Sequence, residues 1–383
     1  MKLALVSNYY NHHQAPFSEA LRDRCESFAF VSSVEMRQER KALGYGTDTP
    51  SFVIPSHLSP EAHALAETAI MEADAIITGS APEELIAPRI RAGKLTFRYS
   101  ERPFKTEPGL LRLAKNLVRM RRHNPRHSPV YLLCAGAYVS SDYARVGLFR
   151  DRSYRWGYFP RTHRYDISAL LASKDPQRIL WCGRFLDWKH PDDAIEVARI
   201  LRDRGVPFSL DMIGTGEMAD RLAQLISAYG LSDSVHLLGS MKPEEVRRHM
   251  EQASIFLFTS DRKEGWGAVL NEAMNSGCAS VASHACGSTP YLATHGKNAM
   301  VYSSGNVEQL AEYTEQLLLD STLARALGEQ AYRTVADEWN ADEAARRLLL
   351  LAERIAAGDP RPELFSSGPC SLAPLMRDDW LSI

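Results

Sequence analysis

The chain has 383 residues, of which 45% are hydrophobic and 24% charged, and its formal net charge is −2. This length exceeds one ordinary hydrophobic core and predicts two domains, and the composition excludes a disordered or fibrous protein. No apolar run approaches the roughly 20 residues of a membrane-spanning helix, and no signal-peptide pattern follows Met1, so the sequence predicts a cytoplasmic protein.

Short apolar runs alternate with amphipathic stretches along the chain, a pattern typical of parallel sheets covered by helices on both faces. The first predicted strands are residues 3–7, 28–32, 74–78, 95–99 and 130–134, and the second series is 178–182, 208–213, 234–238, 254–259 and 278–282. Predicted helices in the second series are residues 192–204, 218–229, 243–252 and 267–276. The sequence thus predicts an α/β protein with two Rossmann-like, doubly wound domains.

The strand series restarts near residue 178, which places the predicted domains at 1–165 and 166–345. Three consecutive helical patterns follow the last strand, at residues 307–319, 322–339 and 342–356. Residues 346–383, a final helix and a proline-rich tail, are expected to pack back on the first domain. Ligands of such sheets bind beyond the carboxyl ends of the strands, so the turns there are where functional residues are expected.

The most informative turn follows the predicted strand 254–259 and contains Glu264, Gly265, Trp266 and Gly267. A helix begins there and carries Glu272. Glycines at a helix N-terminus let a ligand approach its free N–H groups, and these groups favour phosphate. Carboxylates accept hydrogen bonds from sugar hydroxyls, so the two glutamates are placed to hold two sugars joined by a diphosphate.

Two cations follow the first strand of the second series. Gly183 permits a tight exit from the strand, and Arg184 and Lys189 come directly after it. Both side chains belong at the carboxyl edge of the predicted sheet, where a departing diphosphate needs positive charge.

These segments resemble glycosyltransferase family 4, the group 1 glycosyltransferases of GT-B fold whose reaction retains the donor's anomeric configuration. Glu264 and Glu272 match the family's E-x7-E motif, and the resemblance implies that Glu264 contacts the donor sugar and Glu272 the nucleotide ribose. It implies also that Arg184 and Lys189 bind the diphosphate. The GT-B fold implies that the two domains face each other across a cleft.

Two further turns resemble nucleotide-binding elements of that family. Gly214 and Gly216 stand in a turn that borders the nucleotide in the family. Gly239 and Met241 stand in the following turn, whose backbone meets the base. The matching elements cover roughly residues 178–345, so the first domain is expected to serve the acceptor.

The first domain departs from the family at two places. Its N-terminal loop, glycine-rich in relatives and in contact with the donor phosphates, here contains Asn11, His12 and His13. The active-site histidine that many relatives carry after a middle strand is missing from Ser100–Lys105, where Glu101 and Arg102 stand instead. Asn11 and His12 are the predicted donor contacts, and His13 and Glu101 the predicted catalytic groups; the alternative for each histidine is that it only caps the helix that begins near Pro16.

Basic residues are concentrated in the first domain. Residues 1–165 contain 24 Lys and Arg against 16 Asp and Glu, whereas the rest of the chain contains 21 against 31. Residues 110–126 predict a basic amphipathic helix, which can lie on anionic lipid at the inner face of the membrane or simply cover the sheet. Nucleic acid is not an expected partner, because no nucleic-acid motif occurs.

The sequence thus predicts a retaining glycosyltransferase that moves a sugar from a UDP- or GDP-sugar to a glycan, lipid-linked or small-molecule acceptor. It predicts neither a metal nor another cofactor, since Asp-x-Asp, the usual metal–diphosphate motif of the other main glycosyltransferase fold, does not occur in the chain. The alternatives are a non-catalytic protein that binds nucleotide sugars, and a GT-B sugar-nucleotide epimerase or phosphorylase.

Overall fold

The computed structural model describes residues 1–36, 49–106 and 109–381, without the side chains of residues 110–114. The strands of the first sheet are β1 (Lys2–Ser7), β2 (Ser27–Ser32), β3 (Val53–Pro55), β4 (Ala75–Thr78), β5 (Thr96–Ser100), β6 (Val130–Ala135) and β7 (Ser153–Trp156). Their order is β3-β2-β1-β4-β5-β6-β7, and all neighbouring pairs are parallel. Parallel strands require crossover connections, which here are mostly helical.

The helices described between these strands are α1 (Ala15–Arg22), α2 (Pro60–Glu72), α3 (Glu83–Arg91), α4 (Leu110–His123) and α5 (Val139–Arg145). Side-chain hydrogen bonds explain both ends of α2. The Ser59 side chain accepts from Ala62 N at 3.1 Å, and Pro60 occupies the first turn, where its missing N–H costs nothing. At the other end the fully buried Arg89 donates to the carbonyl oxygen of Ala73 at 2.8 Å, so an arginine satisfies acceptors that the helix leaves open.

The second sheet has six strands: β8 (Asp175–Cys182), β9 (Ser209–Ile213), β10 (Val235–Gly239), β11 (Ala253–Phe258), β12 (Ala279–Ser283) and β13 (Met300–Tyr302). Their order is β10-β9-β8-β11-β12-β13, again parallel throughout. Its helices are α6 (Ile167–Ser173), α7 (Pro191–Asp203), α8 (Ala219–Ala228), α9 (Pro243–Gln252), α10 (Val269–Asn275), α11 (Thr289–Leu292), α12 (Val307–Leu319) and α13 (Ser321–Arg333).

The chain divides into two compact units. One contains Met1–Arg161 with Trp339–Arg377, and the other contains Thr162–Glu338 with Asp378–Ile383. The return to the first unit is made by α14 (Ala341–Ala356), which packs against α1, where Arg24 and Asp342 form an ion pair at 3.1 Å.

The tail then pairs with strand β7 of the first unit. Arg155 N donates to Ser371 O at 2.7 Å, and Cys370 N donates to Arg155 O at 2.8 Å. An antiparallel bridge joins Tyr154 to Leu372. The tail therefore covers the exposed edge of a sheet, which would otherwise present unpaired backbone groups.

The predicted pair of Rossmann-like parallel sheets is confirmed. Sequence periodicity missed β3, β7 and β13, which span only three or four residues each and leave too short a pattern to recognise. The helix predicted over 322–339 ends at Arg333 and continues as a π-helical segment, Thr334–Glu338. Within the described residues, no helix is both long and apolar enough to cross a membrane.

Candidate active site

Three turns at the carboxyl edge of the second sheet are joined by backbone hydrogen bonds. Gly183 N, after β8, donates to Ile213 O at 3.0 Å, and Phe185 N donates to Thr215 O at 2.8 Å. Gly214 N, after β9, donates to Gly239 O at 2.8 Å. The predicted glycines of three separate motifs therefore form one continuous layer of backbone.

Two of these positions admit only glycine. Gly214 has φ of 151°, and a Cβ atom there would lie 1.8 Å from Gly183 O. Gly216 has φ of 157°, and its Cβ would lie 2.4 Å from Phe185 O. Any side chain would force the turns apart, so these glycines are required for the close approach of the turn after β9 to the turn after β8.

Lys189 and Glu264 form an ion pair between the turn after β8 and the loop after β11. The two side chains are only 14% and 17% exposed. Two contacts between the same segments support the pair: Asp261 N donates to Trp188 O at 2.9 Å, and the Thr259 hydroxyl donates to Lys189 O. The structure thus joins two of the predicted site residues directly.

Glu272 lies in α10 and differs from Glu264 in having no partner for its carboxylate. Its backbone oxygen accepts from Arg247 Nη1 at 3.0 Å, but within the described part of the chain its side chain makes no hydrogen bond. Burial raises the pKa of Glu272, and the charge of Arg247 opposes that rise. Burial, and then the negative charge of Glu272, raises the pKa of Cys182 to about 12. The Glu272 carboxylate therefore lies near Cys182, at the end of β8.

The remaining predicted residues of this edge surround these groups. Arg184 is exposed, and no carboxylate of the described residues pairs with it. Gly239 has φ of 73°, and both it and Met241 are partly exposed. Arg184 is thus a cation whose charge is not already used within the protein.

The loop that begins α10 is held from inside. The Trp266 side chain is fully buried, and its Nε1 donates to Asn271 Oδ1 at 2.8 Å. Gly267, the second residue after Gly265, has φ of 79°, and a Cβ there would lie 2.4 Å from the Phe258 ring. The indole of Trp266, predicted among the nucleotide-sugar contacts, therefore anchors the loop from the core.

In the first unit, Asn11 organises the loop after β1. Its Oδ1 accepts from His13 N at 2.9 Å and from Gln14 N at 3.3 Å, directly before α1. The side chain of Gln14, the residue that precedes α1, makes no capping hydrogen bond. His12 and His13 are partly buried, with ring centroids 3.9 Å apart. Asn11 thus serves backbone N–H groups directly ahead of this helix.

Glu101 follows β5 at the carboxyl edge of the first sheet. Its carboxylate accepts from Tyr158 OH at 2.8 Å and pairs with Lys105 Nζ at 2.9 Å. Burial, then the neighbouring Tyr158, raises the pKa of Tyr99 well above its usual value. Sequence reasoning missed both tyrosines. Tyr158 lies 57 residues after Glu101, and only the fold brings it next to Glu101 and Tyr99.

Arg102, the sequence alternative to Glu101, is buried. It forms an ion pair with Asp142 at 3.1 Å, in which both side chains are 3% exposed. Asp142 Oδ2 also accepts from Phe104 N at 3.1 Å. The pair joins α5 to the segment after β5, so Arg102 has a structural role.

One group of potential metal ligands occurs among the described residues, although the sequence predicted none. Ligand atoms of His190, Asp192 and Asp193, at the start of α7, lie within 4.8 Å of one another. Asp192 pairs with Arg221 at 3.1 Å, and His190 with Asp261 at 3.5 Å. Acidic residues in a first helical turn are also stabilised by the helix dipole, so this group is explained without an ion.

The chain is similar to known glycosyl transferases. Residues 165–334 match the family model of glycosyl transferases group 1. The amylovoran biosynthesis glycosyltransferase AmsK of Erwinia amylovora is 30% identical over 198 residues, which are 50% of this chain and 48% of AmsK. A putative colanic acid biosynthesis glycosyltransferase, WcaL of Salmonella typhimurium, is 28% identical over 198 residues, again 50% and 48% of the two chains. The chain thus spans about half the length of these curated relatives.

A solved structure shares the fold over nearly the full length. HepE of Anabaena, crystallised in complex with UDP, has a TM-score of 0.67 at 15% identity over 93% of this chain and 99% of its own. The second parallel sheet and its glycine turns lie within the region that the family model matches, together with Arg184, Lys189, Glu264 and Glu272. Residues 165–334 of this chain are thus similar to the group 1 glycosyl transferases.

Proposed function

We propose that this protein is a retaining, metal-independent glycosyltransferase that uses a UDP- or GDP-sugar. The observation that supports it best is the chemistry assembled on the linked turns of the second unit. The mostly buried Lys189–Glu264 pair lies on or beside this layer of glycine backbone, together with the Glu272 carboxylate and the Arg184 cation, which have no partner among the described residues. Cations suit a diphosphate and carboxylates suit sugar hydroxyls, so the set matches a nucleotide sugar. HepE, which shares the fold, binds UDP.

The proposed chemistry assigns each group one task. Arg184 and Lys189 stabilise the diphosphate as the bond to the sugar breaks. Glu264 positions the donor sugar, and Glu272 accepts a hydrogen bond from the ribose. We assign no carboxylate the role of covalent nucleophile, so the acceptor attacks from the face that the leaving group departs from, and configuration is retained.

In the first unit, Glu101 and His13 are the proposed groups for the acceptor hydroxyl. Glu101 is held by Tyr158 and Lys105, which fixes its carboxylate while leaving it partly exposed. A carboxylate in that state can accept a hydroxyl proton. The acceptor itself is proposed to be a glycan, a lipid-linked sugar or a small molecule, since the curated relatives AmsK and WcaL are named for polysaccharide biosynthesis.

The decisive experiment is nucleotide release from a panel of nucleotide sugars, with and without candidate acceptors. A thermal-shift screen first selects the donor, since a ligand at about 100 times its dissociation constant stabilises by roughly 2.7 kcal/mol. Arg184→Gln should abolish release, and Glu244→Gln, an exposed glutamate of the same unit, should not. If a donor binds but no nucleotide is released, not even by slow hydrolysis, the protein is a non-catalytic binding protein. Interconversion of the free donor would indicate an epimerase.

We also propose that α4 approaches an anionic membrane through its basic residues. The apolar side chains Leu117 and Met120 pack against a cluster of Phe104, Val146 and Leu148, so that part of the helix is already covered by protein. The attraction is therefore electrostatic, about 1 kcal/mol for each basic residue near the surface. A variant with Arg112, Lys115, Arg119 and Arg122 changed to Gln should lose salt-sensitive pelleting with anionic liposomes; equal pelleting with neutral liposomes refutes the proposal.

A further inference from the structure

A cavity of about 270 Å³ opens on the first unit, between the segments 124–130 and 147–152. These segments immediately precede β6 and β7, so the cavity lies at the amino edge of the first sheet. Glu101 and the loop with Asn11, by contrast, follow strands at its carboxyl edge. The cavity is therefore separate from the candidate active site of this unit.

Three arginines line this cavity: Arg126, Arg150 and Arg152. Within the described ranges, none of the three forms an ion pair with a carboxylate. Asp151, the acidic residue of the cavity lining, forms an ion pair with Arg361, with Oδ1 and Nη1 3.4 Å apart. The cavity wall thus holds positive charge that the protein itself does not neutralise.

Backbone carbonyls hold two of these arginines in place. Arg126 Nη2 donates to Gly147 O at 3.2 Å, and Arg152 Nη1 donates to Ser128 O at 2.8 Å. A neighbouring cation, Arg121, donates through Nε to Val146 O at 3.2 Å. These bonds use one or two of the five N–H donors of each guanidinium and leave others open.

The guanidinium group of Arg126 also lies close to that of the neighbouring Arg121, which is outside the cavity lining. Gly147 has φ of 72°, and the Nη2 atoms of Arg121 and Arg126 both lie within 3.4 Å of the position that its Cβ atom would take. The next bend of the same loop is at Phe149, a non-glycine residue with φ of 55°. Like charges held this close repel each other unless an anion lies between them, so the arrangement favours a bound anion.

We propose that this cavity binds the phosphate group of a phosphate ester. Several arginine donors on one concave wall match the charge and the several acceptor oxygens of phosphate better than the single charge of a carboxylate. The volume lies just below the range usual for small-molecule pockets, which suits a phosphate with a small organic group. Such a phosphate can belong to a soluble ester or to the headgroup of an anionic lipid.

The test measures both sources on the full chain. Glycerol 3-phosphate is titrated calorimetrically, and pelleting is measured with phosphatidylcholine vesicles with and without phosphatidic acid. Arg126→Gln/Arg150→Gln should weaken binding by about tenfold or more, because charge-assisted hydrogen bonds are lost. Arg126→Lys/Arg150→Lys keeps the charge and should retain part of it. The matched control is Arg248→Gln/Arg325→Gln, two exposed arginines of the second unit.

The outcomes separate the sources from each other and from the candidate active site. Binding of the soluble ester that is lost in Arg126→Gln/Arg150→Gln identifies a free metabolite site. Pelleting with phosphatidic acid that is lost in the same variant, without binding of the soluble ester, identifies a lipid headgroup site. Binding to neither probe overturns the proposal. So does binding that survives in Arg126→Gln/Arg150→Gln and disappears in Arg184→Gln, because the phosphate then binds at the second unit.

Discussion

Glu272→Gln should have opposite effects on ligand binding and on stability. In the structure Glu272 is partly buried, and no hydrogen bond from the described residues reaches its carboxylate. A partly buried carboxylate without a donor destabilises the folded chain and is well suited to a ligand hydroxyl. Gln keeps the shape and one acceptor oxygen but removes the charge.

The expected loss in binding is the difference between a hydrogen bond to a charged acceptor and one to a neutral acceptor. The first contributes about 1.5–3 kcal/mol and the second about 0.5–1.5 kcal/mol, so the affinity for a nucleoside diphosphate should fall by roughly tenfold. Isothermal titration of UDP and GDP against the wild type and the variant measures this change. Glu244→Gln is the control, because its side chain is exposed in the same unit.

The stability effect has a definite pH dependence. Burial raises the pKa of Glu272 above its ordinary 4.5 in the folded state. A group whose pKa is raised on folding stabilises the folded state at pH values below its pKa in the unfolded chain. This contribution is lost as the pH rises through the pKa of the folded state. Wild type and Glu272→Gln should therefore unfold at similar temperatures near pH 4, and the variant should be the more stable one at pH 7.

Two results would refute this reasoning. Unchanged nucleotide affinity in Glu272→Gln would remove Glu272 from the site. A variant that is less stable than the wild type at pH 7 would show that the carboxylate has a favourable partner in the folded protein. The two measurements are independent, so each can fail without the other.

Three further predictions concern the same edge of the second sheet. Lys189→Met should lower the unfolding temperature and abolish transfer, because it leaves the Glu264 charge without its partner. Lys189→Met/Glu264→Gln should recover most of the stability and none of the activity, and additive losses of stability would contradict the pairing. Gly214→Ala should be insoluble or strongly destabilised in thermal unfolding, since its Cβ would lie 1.8 Å from Gly183 O. Nucleotide release should persist in EDTA; loss of activity restored by Mn²⁺ would point to the group formed by His190 and its neighbours.

The second unit could be predicted closely from sequence because its evidence is local. Gly183, Gly214 and Glu264 each stand within a few residues of a strand end, in a short segment that can be recognised alone. The first unit depends on contacts between distant residues, such as Glu101 with Tyr158 and Tyr131 OH with Pro360 O at 3.0 Å. No pattern in a short window encodes such contacts, so the arrangement of the first unit is harder to predict from sequence.

The two glutamates also differ in what a ligand must displace. In the proposed mechanism, Lys189 and Glu264 compensate each other's charge before the donor binds, so its diphosphate has to take over Lys189 as Glu264 turns to the sugar hydroxyls. That exchange would keep both charges satisfied in either state, and its net free energy would be the small difference between two favourable pairings. The Glu272 carboxylate has no hydrogen-bond partner among the described residues, so a ribose hydroxyl would add a hydrogen bond without breaking one. The proposed site therefore obtains affinity from Glu272 and keeps the Lys189–Glu264 pair for positioning the reacting sugar.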